Sequence, residues 1–262
     1  MSSSAMHVAK TGLNAQQNKM QIIANNLANV NTTGFKRDRA NFESLLYQTI
    51  RSGGAQTADG NMLTSASTVG TGVTMVNTQK LYSQGSLIST DNSLDLAIDG
   101  SGFFQVLMPD GRMGYTRNGT FSRNGEGTLT TSSGYVVQPE VGIPDNVSEI
   151  NVSADGIVSV KLAGETQPQE VGQLTLANFA NPRGLQPVGE TFAVETPASG
   201  APIEGAPLNG GFGKLVQGYL EGSNVNVVQQ LVDMIETQRA YEVSSKSISS
   251  VDEMMRYLSN NL

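Results

Sequence analysis

The stretch from Asn224 to Leu262 contains neither glycine nor proline, and that absence of backbone breakers constrains the chain more than any other feature. Apolar residues fall at Val228, Leu231 and Ile235, and again at Ile248, Val251, Met255, Leu258 and Leu262. Steps of three and four place them on one face of a helix. Asn226 stands where an N-cap belongs, with Gln229 at the third helical position. A continuous helix would be roughly 50 Å long at about 1.5 Å per residue. Gln238, Ser244 and Ser245 interrupt its stripe.

A long helix with one apolar stripe needs a partner, and the other end of the chain offers one. Met6, Ala9, Leu13, Met20, Ile23, Leu27 and Val30 repeat the same spacing, broken only at Gln16. Both stripes are narrow, which suits a coiled-coil seam better than a globular core helix. The expected fold is therefore α+β: N- and C-terminal α-helices paired as a coiled coil, with an inserted, mostly antiparallel β-domain. The boundaries read as 1–34 plus 224–262 for the helical domain, 35–78 for a linking segment and 79–223 for the β-rich domain.

Between the helices the pattern changes. Asn29 to Gly34 reads as a helix end, with Gly34 in a left-handed conformation. Phe35 to Arg51 reads as a second amphipathic helical piece carrying Phe42, Leu45, Leu46 and Ile50 on one side. Ser52 to Thr74 is rich in small and polar residues and reads as a loop-like or extended excursion without a core of its own. From Gln79 onward short strands are expected, among them Phe103–Met108, Tyr115–Phe121, Thr128–Val137, Val171–Phe179 and Leu215–Leu220. Ile150–Val152 and Ile157–Leu162 form an expected hairpin about Asp155-Gly156. All nine prolines lie between Pro109 and Pro207, which confines the turn-rich region and leaves both termini free to be helical.

Composition removes most chemistry. The net charge of −7 opposes binding to nucleic acid, and the Lys36, Arg37, Arg39 cluster reads as a solvated turn. No cysteine is present, so thiol catalysis and thiolate metal sites are excluded. The single histidine, His7, lies on the first helix, far from any serine and aspartate that would complete a triad. Asn209 to Lys214 reads NGGFGK, but a phosphate loop needs glycine where Leu208 stands and serine or threonine where Leu215 stands. Asp91, Asp95 and Asp99 do not match a calcium loop. No catalytic, cofactor or metal residue is assigned. No apolar run reaches the roughly 20 residues of a membrane span, and no cleavable signal peptide is expected at the N-terminus.

Several segments resemble a known family. Ala24 to Asn29 (ANNLAN), followed by Asn31 to Lys36 (NTTGFK), resembles the N-terminal signature of bacterial flagellar rod and hook proteins; Asn25, Asn26, Ala28, Asn29, Gly34 and Phe35 carry it. Gly100 to Val106 (GSGFFQV) and Tyr115 to Ser122 (YTRNGTFS) are similar to the central motifs of that family. Ser223 to Tyr241 is similar to its C-terminal signature. The match spans essentially the whole chain in the right order. Length, the segment from Tyr47 to Thr74, GTGV at Gly70–Val73 and SQGSL at Ser83–Leu87 resemble the distal rod subunits most, with a proximal rod subunit as the alternative.

The resemblance implies a structural protein rather than an enzyme. Identical subunits would form a helical tube that transmits torque from motor to hook, terminal helices inside and β-domains outside. It implies a place in the flagellar basal body across the periplasm, and type III export without a cleavable signal. The implied partners are other copies of the chain, proximal rod subunits, the hook protein, the outer-layer ring (bushing) proteins and the export apparatus, with no insertion into the membrane. Phe42 and Leu46 resemble the export-gate motif of such substrates. The helix stripes, together with Tyr241, are the expected subunit interface. The rival class is a secreted cell-wall hydrolase or binding module in which the helices clasp the β-domain.

Overall fold

The computed structural model describes residues 2–53, 64–164 and 167–260, without the side chains of 2, 3, 255 and 258–260. The chain divides into two compact units, one of 1–27, 38–79 and 226–262 and the other of 28–37 and 80–225.

The first unit holds helices α1 (Ser2–Ala28) and α2 (Val227–Asn260). Asn226 caps α2 as expected, its Oδ1 accepting from the Gln229 amide at 3.1 Å and satisfying one of the unpaired N–H groups of the first turn. Among the described residues the helices approach each other at two polar points. Asn26 Nδ2 donates to Gln230 Oε1 at 3.0 Å, and Gly12 faces Ser244, where an added Cβ would lie 4.0 Å from the hydroxyl. Both separations are two heptads, taken backward along α1 and forward along α2, so the helices run antiparallel.

The face that α2 turns inward is not its apolar stripe. Gln230 and Thr237 are buried and Ser244 is half-buried, whereas Val228, Leu231 and Ile235 are 72%, 44% and 50% exposed. The expected intramolecular seam is thus corrected for the first half of α2. Small size explains the choice: Thr237 and Ser244 return their hydroxyls to the carbonyls of Asp233 (2.6 Å) and Ala240 (2.9 Å), leaving compact surfaces opposite Gly12. On α1, Ile23 is buried, while Met6, Ala9, Leu13, Met20 and Leu27 are half-buried, as is Val30 in the turn that follows. Ile248 and Val251 are half-buried as well. Leu262 and the side chains of Met255 and Leu258 lie outside the described residues.

The second structural correction falls at 35–51, where a helical piece is expected. The chain instead runs extended through β1 (Asp38–Ser44) and β2 (Tyr47–Arg51), and returns through β3 (Ser67–Gly70) and β4 (Val73–Lys80). β1 pairs with β4 and β2 with β3. The steps between Phe42, Leu45, Leu46 and Ile50 mimic a helix by coincidence. The Val- and Thr-rich returning strands supply the ladder partner, and 67–70 and 73–74 take the extended form of the loop-like or extended reading of 52–74; residues 54–63 lie outside the described part. At its base the ribbon is fixed to α1: the Val73 amide donates to Thr11 Oγ1 (3.3 Å), beside Gly72, which leaves no room for a side chain against Thr11.

Among the described residues the second unit holds sixteen short strands. A seven-stranded antiparallel sheet has the order β16-β17-β8-β7-β11-β10-β9, comprising Gln186–Gly189, Phe192–Val194, Met113–Thr116, Phe104–Leu107, Val136–Gln138, Leu129–Thr131 and Phe121–Arg123. A three-stranded sheet contains β12 (Val147–Val152), β13 (Ile157–Leu162) and β14 (Gln169–Gln173). Three pairs complete it: β5 (Leu87–Ser89) with β20 (Tyr219–Glu221), β6 (Leu96–Asp99) with β19 (Lys214–Gln217), and β15 (Leu176–Asn178) with β18 (Ile203–Gly205). Leu96, Ile98, Phe104, Phe121, Val160 and Leu174 sit in one apolar cluster.

Expected single strands are repeatedly cut in two. Tyr115–Phe121 breaks at Asn118-Gly119, where Asn118 Oδ1 accepts from the Thr120 amide at 3.1 Å in an Asx turn. Leu215–Leu220 breaks at Gly218, whose φ is 73°. The Ile157 hairpin forms about Gly156 as expected.

Candidate assembly surfaces and a buried ionic junction

The charged residues that count most lie inside the second unit. Lys36 Nζ is 2.6 Å from Glu221 Oε1, and Arg117 Nη1 is 3.4 Å from Glu221 Oε2, with side-chain exposures of 3%, 5% and 0% for Lys36, Arg117 and Glu221. The solvated-turn reading of Lys36 is therefore corrected. Glu221 Oε1 also accepts from the Gly85 amide at 2.9 Å. Two cations face one carboxylate, and backbone carbonyls offset the excess: Ser83 accepts from Lys36 at 2.8 Å, Gly100 from Arg117 at 2.7 Å and Ile98 from Arg117 at 3.4 Å. The Arg117 guanidinium also stands 5.4 Å from the Phe103 ring centroid, within cation–π range. Only its Nε is left without a partner.

Burial pushes the Lys36 ammonium below its usual range, opposed by the adjoining Glu221 carboxylate. Burial acts in the same direction on Arg117, whose guanidinium nonetheless stays charged. The arrangement is structural: among the described residues no three His, Cys, Asp or Glu side chains gather as a metal site.

The backbone around the junction is equally determined. The Gly34 amide donates to the Glu221 carbonyl at 2.7 Å. Its φ is 69°, and an added Cβ would lie 2.5 Å from the Asn118 nitrogen. Asn224 ties three backbone segments together: its Oδ1 accepts from the Arg37 amide (2.8 Å) and its Nδ2 donates to Leu81 (2.7 Å) and Ser83 (3.0 Å) carbonyls. Leu81 in turn donates to the Arg37 carbonyl at 3.0 Å. Segments quoted separately from the sequence, NTTGFK, SQGSL, GSGFFQV, YTRNGTFS and the start of the C-terminal signature, thus converge on one site.

Within the first unit, Asn26 plays the corresponding part. It is 2% exposed, donates to the Asp38 carbonyl at 2.9 Å and accepts from the Asp38 amide at 2.8 Å, while its second donor reaches Gln230. One amide side chain therefore joins α1, the ribbon and α2. Outside this unit, Asn29 Oδ1 accepts from Thr32 Oγ1 at 3.2 Å in the turn that follows α1, and Phe35 lies 5.1 Å beneath the Lys80 ammonium.

The same unit leaves a large apolar surface uncovered. Besides Val228, Leu231 and Ile235 on α2, Val232 and Tyr241 are exposed, and on the ribbon Leu46, Tyr47 and Ile50 are 89%, 64% and 59% exposed. Phe42, the other residue of the export-gate resemblance, is half-buried on β1. A two-stranded ribbon and a helix pair do not bury such groups by themselves, and uncovered patches of this kind mark interaction surfaces.

Exposed apolar groups on the helices and ribbon, beside a β-domain cross-linked at its motif segments, are the features of a structural subunit that packs against other chains. Residues 6–36 match the family described as flagella basal body rod protein, 97–160 the D1 domain of flagellar hook protein FlgE/F/G, and 216–262 the C-terminal domain of flagellar basal body rod FlgEFG protein. The chain is 53% identical over 255 residues to the flagellar basal-body rod protein FlgG of Buchnera aphidicola subsp. Schizaphis graminum, covering 97% of this chain and 98% of that one. It is 47% identical to FlgG of Caulobacter vibrioides, covering 96% and 97%, and 32% identical to FlgF of the same organism, covering 96% and 95%. The chain belongs to the flagellar basal-body rod protein family and is a structural subunit of that rod. Among the described residues no helix is long and apolar enough to cross a membrane.

Sequence reasoning missed Glu221 and Arg117 as partners, since neither shows a helical or metal-binding spacing. The available signal was the position of Arg117 inside the YTRNGTFS segment and of Glu221 two residues before the C-terminal signature.

Proposed function

We propose that the chain is the distal rod subunit and polymerises into a helical, tubular drive shaft. The greater identity to FlgG than to FlgF of one organism supports this assignment over the proximal alternative. The carrying observation is the uncovered stripe Val228–Leu231–Ile235 on a helix whose inward face is polar. In the assembly these residues, with Tyr241 and the α1 seam, pack against helices of neighbouring copies in a coiled-coil layer. At about 25 cal/mol per Å² of apolar area removed from water, many such contacts sustain a filament. Torque passes through repeated modest contacts rather than one site, and no catalysis is involved.

Proximal rod subunits, the hook protein and the ring bushings are the neighbours of such a shaft, and type III export delivers its subunits across the periplasm. The terminal segments 1–34 and 224–262 act as the polymerising domain, with 35–78 linking it to the β-rich domain of 79–223.

The test is Ile235→Asp. The side chain is exposed in the single chain, so unfolding of the isolated subunit should stay within about 0.5 kcal/mol of wild type. Polymerisation, followed by sedimentation and by helical circular dichroism against concentration, should be lost, together with motility in a complementation assay. Filaments and motility equal to wild type would refute the interface.

A further inference from the structure

The chain contains three Asn-Gly pairs, at 118–119, 124–125 and 209–210. Such pairs share a side reaction: the glycine amide nitrogen attacks the asparagine Cγ, the N–Cγ bond of a succinimide forms, and ammonia leaves. Water then opens the ring to aspartate or to isoaspartate, with no oxidant or cofactor required. Glycine promotes the attack because it has no Cβ to obstruct it. The three pairs are alike in sequence but differ in what their carboxamides are doing.

At Asn118 the Oδ1 accepts from the Thr120 amide at 3.1 Å and from the Thr120 hydroxyl at 2.9 Å. Gly119 is buried, and its carbonyl accepts from the Leu96 amide at 3.0 Å. At Asn124 the Oδ1 accepts from the Glu126 amide at 3.0 Å and the Thr128 amide at 2.8 Å. Each carboxamide is held toward downstream donors, and swinging Cγ onto its own glycine nitrogen breaks two hydrogen bonds.

Asn209 is different. Among the described residues its carboxamide has no hydrogen-bond partner, and neither does the Gly210 amide. Both residues are exposed. Gly210 and Gly211 have φ of 62° and 88°, and the preceding Leu208 is itself held at 67°, a conformation costly for a branched L residue. The hydrogen bonds of this turn, from the Asn209 amide to the Ala206 carbonyl at 3.3 Å and from the Phe212 amide to the Asn209 carbonyl at 3.1 Å, do not involve the carboxamide, whereas at the other two pairs the carboxamide itself must give up its bonds.

We propose that Asn209 is a site of spontaneous deamidation in the folded protein, and that the fold protects Asn118 and Asn124. Conversion places an additional negative charge, or an isoaspartyl backbone, at an exposed turn of the β-domain. The chemistry would alter the subunit at one defined position.

The experiment is timed incubation of purified full-length protein at mildly alkaline pH, followed by digestion and mass spectrometry that quantifies amide-to-acid conversion at each pair. Asn209 should convert first. Asn118 and Asn124 should lag by roughly tenfold or more, the scale expected for breaking two hydrogen bonds. In concentrated urea the three rates should converge, since protection belongs to the fold. A Thr120→Val variant, which removes one of the two donors, should speed Asn118 alone. Equal native rates at the three pairs, or earlier conversion at Asn118 or Asn124, would overturn the proposal.

Discussion

Lys36 Nζ and Glu221 Oε1, 185 positions apart in sequence, meet at 2.6 Å with both side chains out of water. Removing one member of a buried ion pair leaves an uncompensated charge and costs more than the pair contributes. Glu221→Gln strands two cations, so the β-domain should lose about 3–5 kcal/mol. Lys36→Met should cost less, because Arg117 still neutralises the carboxylate at 3.4 Å. Urea unfolding of both variants checks the order; a Glu221→Gln loss no larger than that of Lys36→Met would contradict the junction as described.

Gly34 answers to a steric argument instead. Its φ of 69° and the 2.5 Å approach of an added Cβ to the Asn118 nitrogen mean that backbone, not a flexible side chain, must move. Gly34→Ala should destabilise by at least about 2 kcal/mol, combining the left-handed penalty with the clash. Thermal unfolding is the measurement. A near-neutral result would mean that the Arg117–Asn118 backbone yields freely.

Asn26 and Gln230 make the third case, a buried amide pair at 3.0 Å. Asn26→Ala should cost about 2–4 kcal/mol in the helix-and-ribbon unit, since three hydrogen bonds of about 1 kcal/mol are lost from a buried site. Gln230→Ala should cost less, because the Asp38 bonds to Asn26 survive it. A double-mutant cycle should return a coupling of about 0.5–1.5 kcal/mol; additive losses would show that the pair does not interact.

Sequence pattern read some features well and misread others for definable reasons. Both helices, the Asn226 cap, the left-handed Gly34 and the Gly156 hairpin rest on local rules and are legible. The inward face of α2 was not, because a narrow apolar stripe looks the same whether its partner is in the same chain or in another. Thr237 and Ser244 pack inward because their hydroxyls bond their own helix. The ribbon was missed because Tyr47–Arg51 becomes a strand only against Ser67–Gly70, a pairing that no local window contains. The junction at Glu221 was hidden because charge in sequence carries no record of burial.

Tyr115 gives a prediction in pH. Its ring packs edge-on against Phe179 at 4.7 Å between centroids, and the residue is 2% exposed. Burial, assisted by the Glu195 and Glu204 carboxylates, raises its phenol from 10.0 to about 12. Between those values the unfolded chain has released the proton while the folded chain still holds it. Stability therefore falls as pH rises through this window, by up to about 2.7 kcal/mol from this group when both forms have ionised. Lys36 acts with the opposite sign below 10.5, where its lowered value makes stability rise with pH. Comparing wild type with Tyr115→Phe separates the two: the variant lacks the phenol and should show a shallower alkaline decline in urea unfolding, by about 1.4 kcal/mol per pH unit within the window. Ultraviolet titration of tyrosinate should show the corresponding late step in wild type alone. Parallel declines in the two proteins would place the Tyr115 hydroxyl in contact with water and remove it from the core.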